Sequence, residues 1–180
     1  ISITDTAGEV QFLVCDVWPT YSIQTQFSGA GNIYINWGDG TTSTISSSGT
    51  TVTTRTLSTG GTPCSRGYNT WKVRVYGDPG VTITDCRIIK TVGSNISANY
   101  PTGVLEAYYG DGTVNDMSSY FRGTVTTTNG AYYMLEYVKC PAIMTGSSPF
   151  GFTFQNCTSL ARVIMPTSLA NATTLAGMFY

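Results

Sequence analysis

Ile33-Tyr34-Ile35-Asn36-Trp37-Gly38-Asp39-Gly40-Thr41 reads as one strand running into a tight turn. Ile33, Ile35 and Trp37 alternate with Tyr34 and Asn36, the period of two that marks a half-buried strand. Gly38-Asp39-Gly40 follows at once. Asp-Gly between strands is a strong hairpin signal, because a type I′ turn needs positive φ at both central positions. Outward from this point, Thr41 to Ile45, Thr50 to Leu57 and Trp71 to Tyr76 are further short strands. Upstream, Val10, Phe12, Val14, Asp16 and Trp18 trade faces with Gln11, Leu13, Cys15 and Val17, as in a strand with both faces partly covered. Ser58 to Pro63 is a loop by composition. Short strands at this spacing predict an antiparallel β-sandwich over residues 1–80, with Trp37 and Trp71 in or beside its core.

Asp39 has two readings. Ca²⁺ takes roughly six to eight oxygen ligands, and one Asp flanked by glycines supplies too few. The alternative is a carboxylate that accepts backbone N–H bonds and fixes the turn, with Gly40 at the positive-φ position. With the motif in view, Trp37-Gly38-Asp39-Gly40-Thr41 resembles the W-G-D-G-T signature of PKD-like immunoglobulin folds. Tyr68-Asn69-Thr70-Trp71-Lys72-Val73-Arg74-Val75-Tyr76-Gly77 is similar to that family's later G-x-Y-x-V strand, with Trp71 in the usual Tyr position. The family's His-Thr-Tyr before this strand is missing, and a loop holding Cys64 replaces it. The resemblance implies a spacer or interaction module rather than a catalyst.

The second half repeats. Leu135-Glu136-Tyr137-Val138-Lys139-Cys140-Pro141 aligns with Leu160-Ala161-Arg162-Val163-Ile164-Met165-Pro166 at a spacing of 25. Leu105-Glu106-Ala107-Tyr108-Tyr109-Gly110 fits more loosely, and Ile83-Thr84-Asp85-Cys86-Arg87-Ile88 precedes it; the intervals are 22, 30 and 25. Phe121, Phe154 and Phe179 follow their strands by 16, 19 and 19 residues. No single unit can bury its own apolar face, so stacking should place Leu105, Leu135 and Leu160 in one ladder and the three Phe in another. Phe154-Gln155-Asn156-Cys157-Thr158-Ser159-Leu160, with Val163 and Pro166, resembles the F-x-x-C-x-S-L-x-x-V-x-x-P unit of BspA-like leucine-rich repeats. That resemblance implies a solenoid over residues 81–180, on a bacterial surface protein or a phage or virus structural protein, serving adhesion. Gly177-Met178-Phe179-Tyr180 looks like the start of a further unit, so the repeats are expected to be incomplete at the C-terminus, with an end that self-associates or frays.

Composition agrees with a packed, surface-exposed β protein. Charged residues are 11% of 180, net charge is −1, and Gly, Ser, Thr and Asn fill the difference. The scattered Lys and Arg offer no footprint for nucleic acid, and no stretch reaches the roughly 20 apolar residues of a membrane span. The five cysteines, at 15, 64, 86, 140 and 157, match no metal or redox spacing. Buried thiols are one reading and a single disulfide using Cys64 the other. Asn95, Asn156 and Asn171 open sequons, meaningful only in a eukaryotic secretory host.

Histidine is absent, which removes Ser-His-Asp, Cys-His and His-metal chemistry. Glu106 and Glu136 are the best carboxylate pair for glycoside hydrolysis, but equivalent repeat positions make them solvent-facing charges instead. Gly110 to Asp116 carries oxygen ligands yet lacks the remaining EF-hand positions, and is read as a turn. Neither a metal nor a cofactor is expected. Tyr108, Tyr109, Tyr132, Tyr133 and Tyr137 cluster around the repeat strands, where aromatic rings with polar tips suit sugar or protein contacts. The expectation is a non-enzymatic, extracellular component of a virion or cell-surface appendage. Its partners would be other copies of itself or neighbouring surface proteins. A receptor- or glycan-binding adhesin using the solenoid face is the alternative.

Overall fold

The computed structural model describes residues 3, 6–17, 19–92, 95–97, 103–118, 120–121 and 134–179. Among these residues there is no helix. One sheet contains, in spatial order, β4 (Thr42–Ile45), β3 (Ile33–Asn36), β7 (Asn69–Gly77), β1 (Val10–Cys15), β10 (Val104–Tyr109), β11 (Tyr137–Lys139) and β13 (Arg162–Ile164), with β6 (Thr62–Pro63) beside β7. A second sheet runs β5 (Thr51–Thr56), β2 (Thr20–Ser28), β8 (Thr82–Val92) and β9 (Asn95–Ser97). Two-residue strands β12 (Ile143–Met144) and β14 (Ser168–Leu169) pair separately.

The alternating strands face each other across one core. Val10, Phe12 and Val14 of β1, Ile33 and Ile35 of β3, and Val73 and Val75 of β7 meet Tyr21, Ile23 and Phe27 of β2 and Ile83, Cys86 and Ile88 of β8. Trp37 and Trp71 are buried there, and each indole finds an acceptor: Ser43 Oγ at 2.9 Å and the Thr59 carbonyl at 2.8 Å. Burying both rings without these bonds would cost stability. Strand β2 is central to the second sheet, although its Thr-Tyr-Ser-Ile-Gln-Thr-Gln-Phe-Ser pattern is too polar to stand out in the sequence.

The hairpin at Asp39-Gly40 differs from the expected type I′ turn. Trp37 N–H donates to the Thr41 carbonyl at 3.0 Å, so the loop is Gly38-Asp39-Gly40. Positive φ falls on Gly38 (77°) and Gly40 (88°), not on Asp39. Asp39 Oδ1 accepts from Thr41 N–H and Oγ1 at 3.0 and 2.5 Å, while Oδ2 accepts from Arg55 Nε at 2.9 Å. Burial pushes this carboxyl up, but the bonds from Thr41 and Arg55 outweigh it and hold it below the usual carboxylate range. Asp39 is thus a turn-fixing residue. A Cβ on Gly40 would meet open space, whereas one on Gly38 would lie 2.7 Å from the Lys72 carbonyl oxygen. Gly40→Ala should therefore cost only the left-handed backbone strain, about 1 kcal/mol, and Gly38→Ala distinctly more. Urea unfolding of the two variants measures the difference.

Strand pairing crosses residue 80. β8 lies antiparallel to β2, with Ile23 opposite Ile88, and β10 lies antiparallel to β1, with Phe12 opposite Ala107. The Ile83 strand is therefore part of the sandwich and not the first of the repeated strands. Its length explains why: β2 offers it a long antiparallel partner, which the short strand of a repeat could not use.

Beyond β10 the chain makes successive stacked turns. β10, β11 and β13 are parallel, with Glu106, Tyr137 and Arg162 in one register and Ala107, Val138 and Val163 in the next. On another side β12 lies parallel to β14, Ile143 opposite Ser168. On the returning side, Phe121 N–H donates to the Thr153 carbonyl and Phe154 N–H to the Met178 carbonyl, both at 3.0 Å. The rings of Phe121, Phe154 and Phe179 stack at 5.9 and 5.3 Å. The leucine ladder needs a correction. Counting back three residues from Ala107, Val138 and Val163, past the row of Glu106, Tyr137 and Arg162, places Val104 with Leu135 and Leu160. A bulge at Leu13/Val14 turns Leu105 to the opposite face, where it packs with Leu13 and Cys15. A one-residue slip exchanges the faces of a strand, which is why Leu105 looked equivalent and is not.

One polar group ties the second sheet to these turns. Asp85, 8% exposed, accepts from Tyr120 Oη at 2.5 Å, Gln24 Nε2 at 2.8 Å, and Arg87 Nε and Nη2 at 3.1 Å. The Arg87 guanidinium also lies 4.8 Å from the centre of the Tyr120 ring.

Candidate functional site

Alternation along β10 sends Ala107 and Tyr109 into the core and Tyr108 to the outer face. Tyr108 and Tyr137 meet there with ring centres 4.9 Å apart, and the Arg162 guanidinium lies 5.6 Å from the Tyr137 ring. Burial, followed by the nearby Glu106 carboxylate, pushes the Tyr108 phenol up to about 12. Tyr109 does not join them: it is fully buried, donates to the Cys86 carbonyl at 3.1 Å, and meets Phe12 edge to face. Its proposed binding role is corrected to a core role. Tyr132 and Tyr133 lie outside the described residues.

A second row of the same kind stands on the other side of β1. Tyr34 and Tyr76, opposite each other in the β3–β7 register, stack at 5.5 Å, and Arg74 lies 5.5 Å from the Tyr76 ring. Glu9 holds Arg74 through bonds of 2.5 and 2.8 Å. Period-two placement of Tyr34 and Tyr76 was visible in the sequence; their pairing was not, because it depends on which strands become neighbours.

The acidic pair is placed differently from expectation. Glu136 is held by both terminal guanidinium nitrogens of Arg66, from the Cys64 loop. Glu106 is half-buried, and burial, then the neighbouring Glu136 carboxylate, raises its carboxyl above the usual range. A carboxyl whose folded pKa is raised contributes stability below its unfolded pKa and loses it as pH climbs through the folded value. Glu106→Gln should therefore raise Tm at pH 7, with the gain closing below about pH 4. Thermal unfolding at the two pH values checks the sign.

The carboxylates of the Gly110 to Asp116 turn are spent locally: Asp111 accepts from Ala142 N–H and Asp116 from Ser118 N–H, both at 2.8 Å. Among the described residues no set of three His, Cys, Asp or Glu side chains gathers to hold a metal ion. All five cysteines are free, with Cys15, Cys86 and Cys140 buried.

The last turn presents the most distinctive surface. In the preceding turn, Leu135, Val138, Cys140 and Phe154 are 0, 0, 1 and 2% exposed. Their equivalents one repeat later, Leu160, Val163 and Met165, are only half-buried, and Phe179 is 62% exposed. The earlier set is covered by the next turn; the later set lines a pocket of about 520 Å³ together with Phe154 and Cys157. The 25-residue repeat marked Leu160, Val163, Met165 and Phe179 in the sequence; that they stand accessible where Leu135, Val138, Cys140 and Phe154 are sealed comes only from the structure.

No family model, curated protein or solved structure matches the chain. No helix is long and apolar enough to cross a membrane among the described residues.

Proposed function

We propose that this chain is a non-enzymatic structural or adhesion component of a virion or cell-surface appendage, of fibre, decoration or surface-layer type. It works through protein–protein contacts outside the cell. On this reading the sandwich is a PKD-like spacer and the stacked turns are BspA-like leucine-rich repeats. The open face of the last turn carries the proposal: four apolar positions that are sealed in one turn are left accessible in the next. Apolar surface of this kind, flanked by a strand edge that no strand pairs among the described residues, is suited to association. Further support comes from the missing histidine and from the occupation of Glu136 by Arg66. Electron microscopy of the particle or appendage that carries the chain, with an antibody against it, is the test. Many copies at regular positions are expected; a chain that is secreted free and never found in an assembly would sink the proposal.

A second reading is favoured by the Tyr108–Tyr137–Arg162 row, which suits a receptor or glycan. Saturable glycan binding that disappears in Tyr137→Ala would promote it over the first.

A further inference from the structure

Parallel strands β10 and β11 bring two tyrosines of the outer face together. In their register Glu106 stands opposite Tyr137 and Tyr108 opposite Lys139, so the two tyrosines are diagonal neighbours. Aromatic side chains are long enough to meet across such a diagonal. Their ring centres are 4.9 Å apart, with the planes inclined at 32°. The hydroxyls of the two rings interact, which sets those ends side by side. The carbons ortho to each hydroxyl therefore come near one another. The ring centres are only slightly farther apart than in two phenols joined directly through those carbons. Both residues are half-buried, so a small oxidant can reach them.

We infer that Tyr108 and Tyr137 form a cross-linking site, at which oxidation by a peroxide joins the two rings as dityrosine. Each phenol gives up one electron and its hydroxyl proton. The two radicals then couple through one ortho carbon each, and the hydrogens displaced there return to the phenol oxygens. One hydrogen peroxide takes up the two electrons and two protons and leaves as two waters. The Tyr108 phenol, pushed up to about 12 by burial and then by Glu106, is protonated at neutral pH, so its proton departs together with the electron. The new bond would fasten β11 to β10, which is itself paired with β1 of the sandwich. The five cysteines, all free, supply no such tie. Other tyrosine pairs are less well placed. Tyr109 and Tyr120 are buried, with ring centres 5.9 Å apart and hydroxyls given to the Cys86 carbonyl and Asp85. Tyr34 and Tyr76 stand 5.5 Å apart, and Tyr34 Oη donates to Asp78 Oδ1 at 3.0 Å.

The experiment treats the full chain, in dilute solution, with hydrogen peroxide and a small haem peptide as the peroxidase. The expected product is a monomer that has lost two hydrogen atoms, emits dityrosine fluorescence, and yields a joined peptide pair whose fragmentation places the bond at Tyr108 and Tyr137. Tyr108→Phe and Tyr137→Phe keep the ring and lose only the phenol, and each should abolish that product. Tyr34→Phe and Tyr76→Phe should leave it unchanged. Oxidation of the same chain in urea should scatter the links over other tyrosines, because the folded register is what selects this pair. A bond mapped to Tyr34 and Tyr76, dityrosine only between chains, or oxidation with no tyrosine–tyrosine bond would each overturn the assignment. So would a yield that persists in Tyr137→Phe. None of these outcomes touches the protein–protein function, which rests on other residues.

Discussion

Asp85→Ala is expected to lower stability by about 3 kcal/mol, because it strands a partly buried guanidinium and two further donors at once. Arg87, Gln24 and Tyr120 all converge on this carboxylate. Removing one member of a buried charge pair costs far more than removing a surface partner, since the remaining charge stays desolvated. Tyr120→Phe, which deletes one donor and leaves Arg87 and Gln24 in place, should cost only about 1–2 kcal/mol. The pair of variants distinguishes a linchpin from a decoration. Tyr120 belongs to the stacked turns and Asp85 to β8 of the second sheet. Losing the carboxylate should therefore loosen the turns from the sandwich before the sandwich itself unfolds. Urea unfolding followed by tryptophan fluorescence, whose three sources Trp18, Trp37 and Trp71 all precede residue 80, and by amide exchange in residues 135–154 would show the two events separating.

Leu135→Ala carries the other large effect, about 2–5 kcal/mol. Its side chain is fully buried between the turns on either side, so a cavity has no means of filling with solvent-exposed chain. Leu160→Ala at the equivalent place should cost roughly half of that or less, because much of the side chain is already exposed and only the lost burial is counted. Equal costs would mean that the last turn is covered in solution. The contrast therefore measures the difference between a sealed interface and an open one, and denaturant titration of both variants yields it directly.

Much of the fold could be read from period and turn chemistry. The Ile33 to Trp37 alternation and its glycine-flanked turn belong to the hairpin at its expected place, and the architecture is mainly β. What failed did so for identifiable reasons. Strand β2 escaped notice because Thr25 interrupts the buried face of Tyr21, Ile23 and Phe27, which leaves Gln24-Thr25-Gln26 as an unbroken polar run. Ile83 was placed in the repeats because I-x-x-C-x-I mimics their short strand, yet β8 is long and pairs antiparallel with β2. Leu105 was misregistered by one position, since a bulge leaves no trace in composition. The tyrosines expected to bind divided by the same alternation: Tyr108 faces out and its neighbour Tyr109 faces in. Arg162 and Arg74 could not be assigned to the aromatic rows from spacing, because those rows run across strands whose order only the tertiary structure sets.

Residue-resolved hydrogen exchange on the isolated chain puts the open last turn to the most direct test, through two amides in equivalent places. Val138 lies in register with Val163 and is covered by β13, whereas the outer edge of β13 has no neighbouring strand among the described residues. The expected result is strong protection at Val138 and near-random-coil exchange at Val163, with Arg162 and Ile164 intermediate because they bond to the inner neighbour. Equal, strong protection at Val138 and Val163 would contradict it, since the edge would then already be paired and no face would remain to receive a partner.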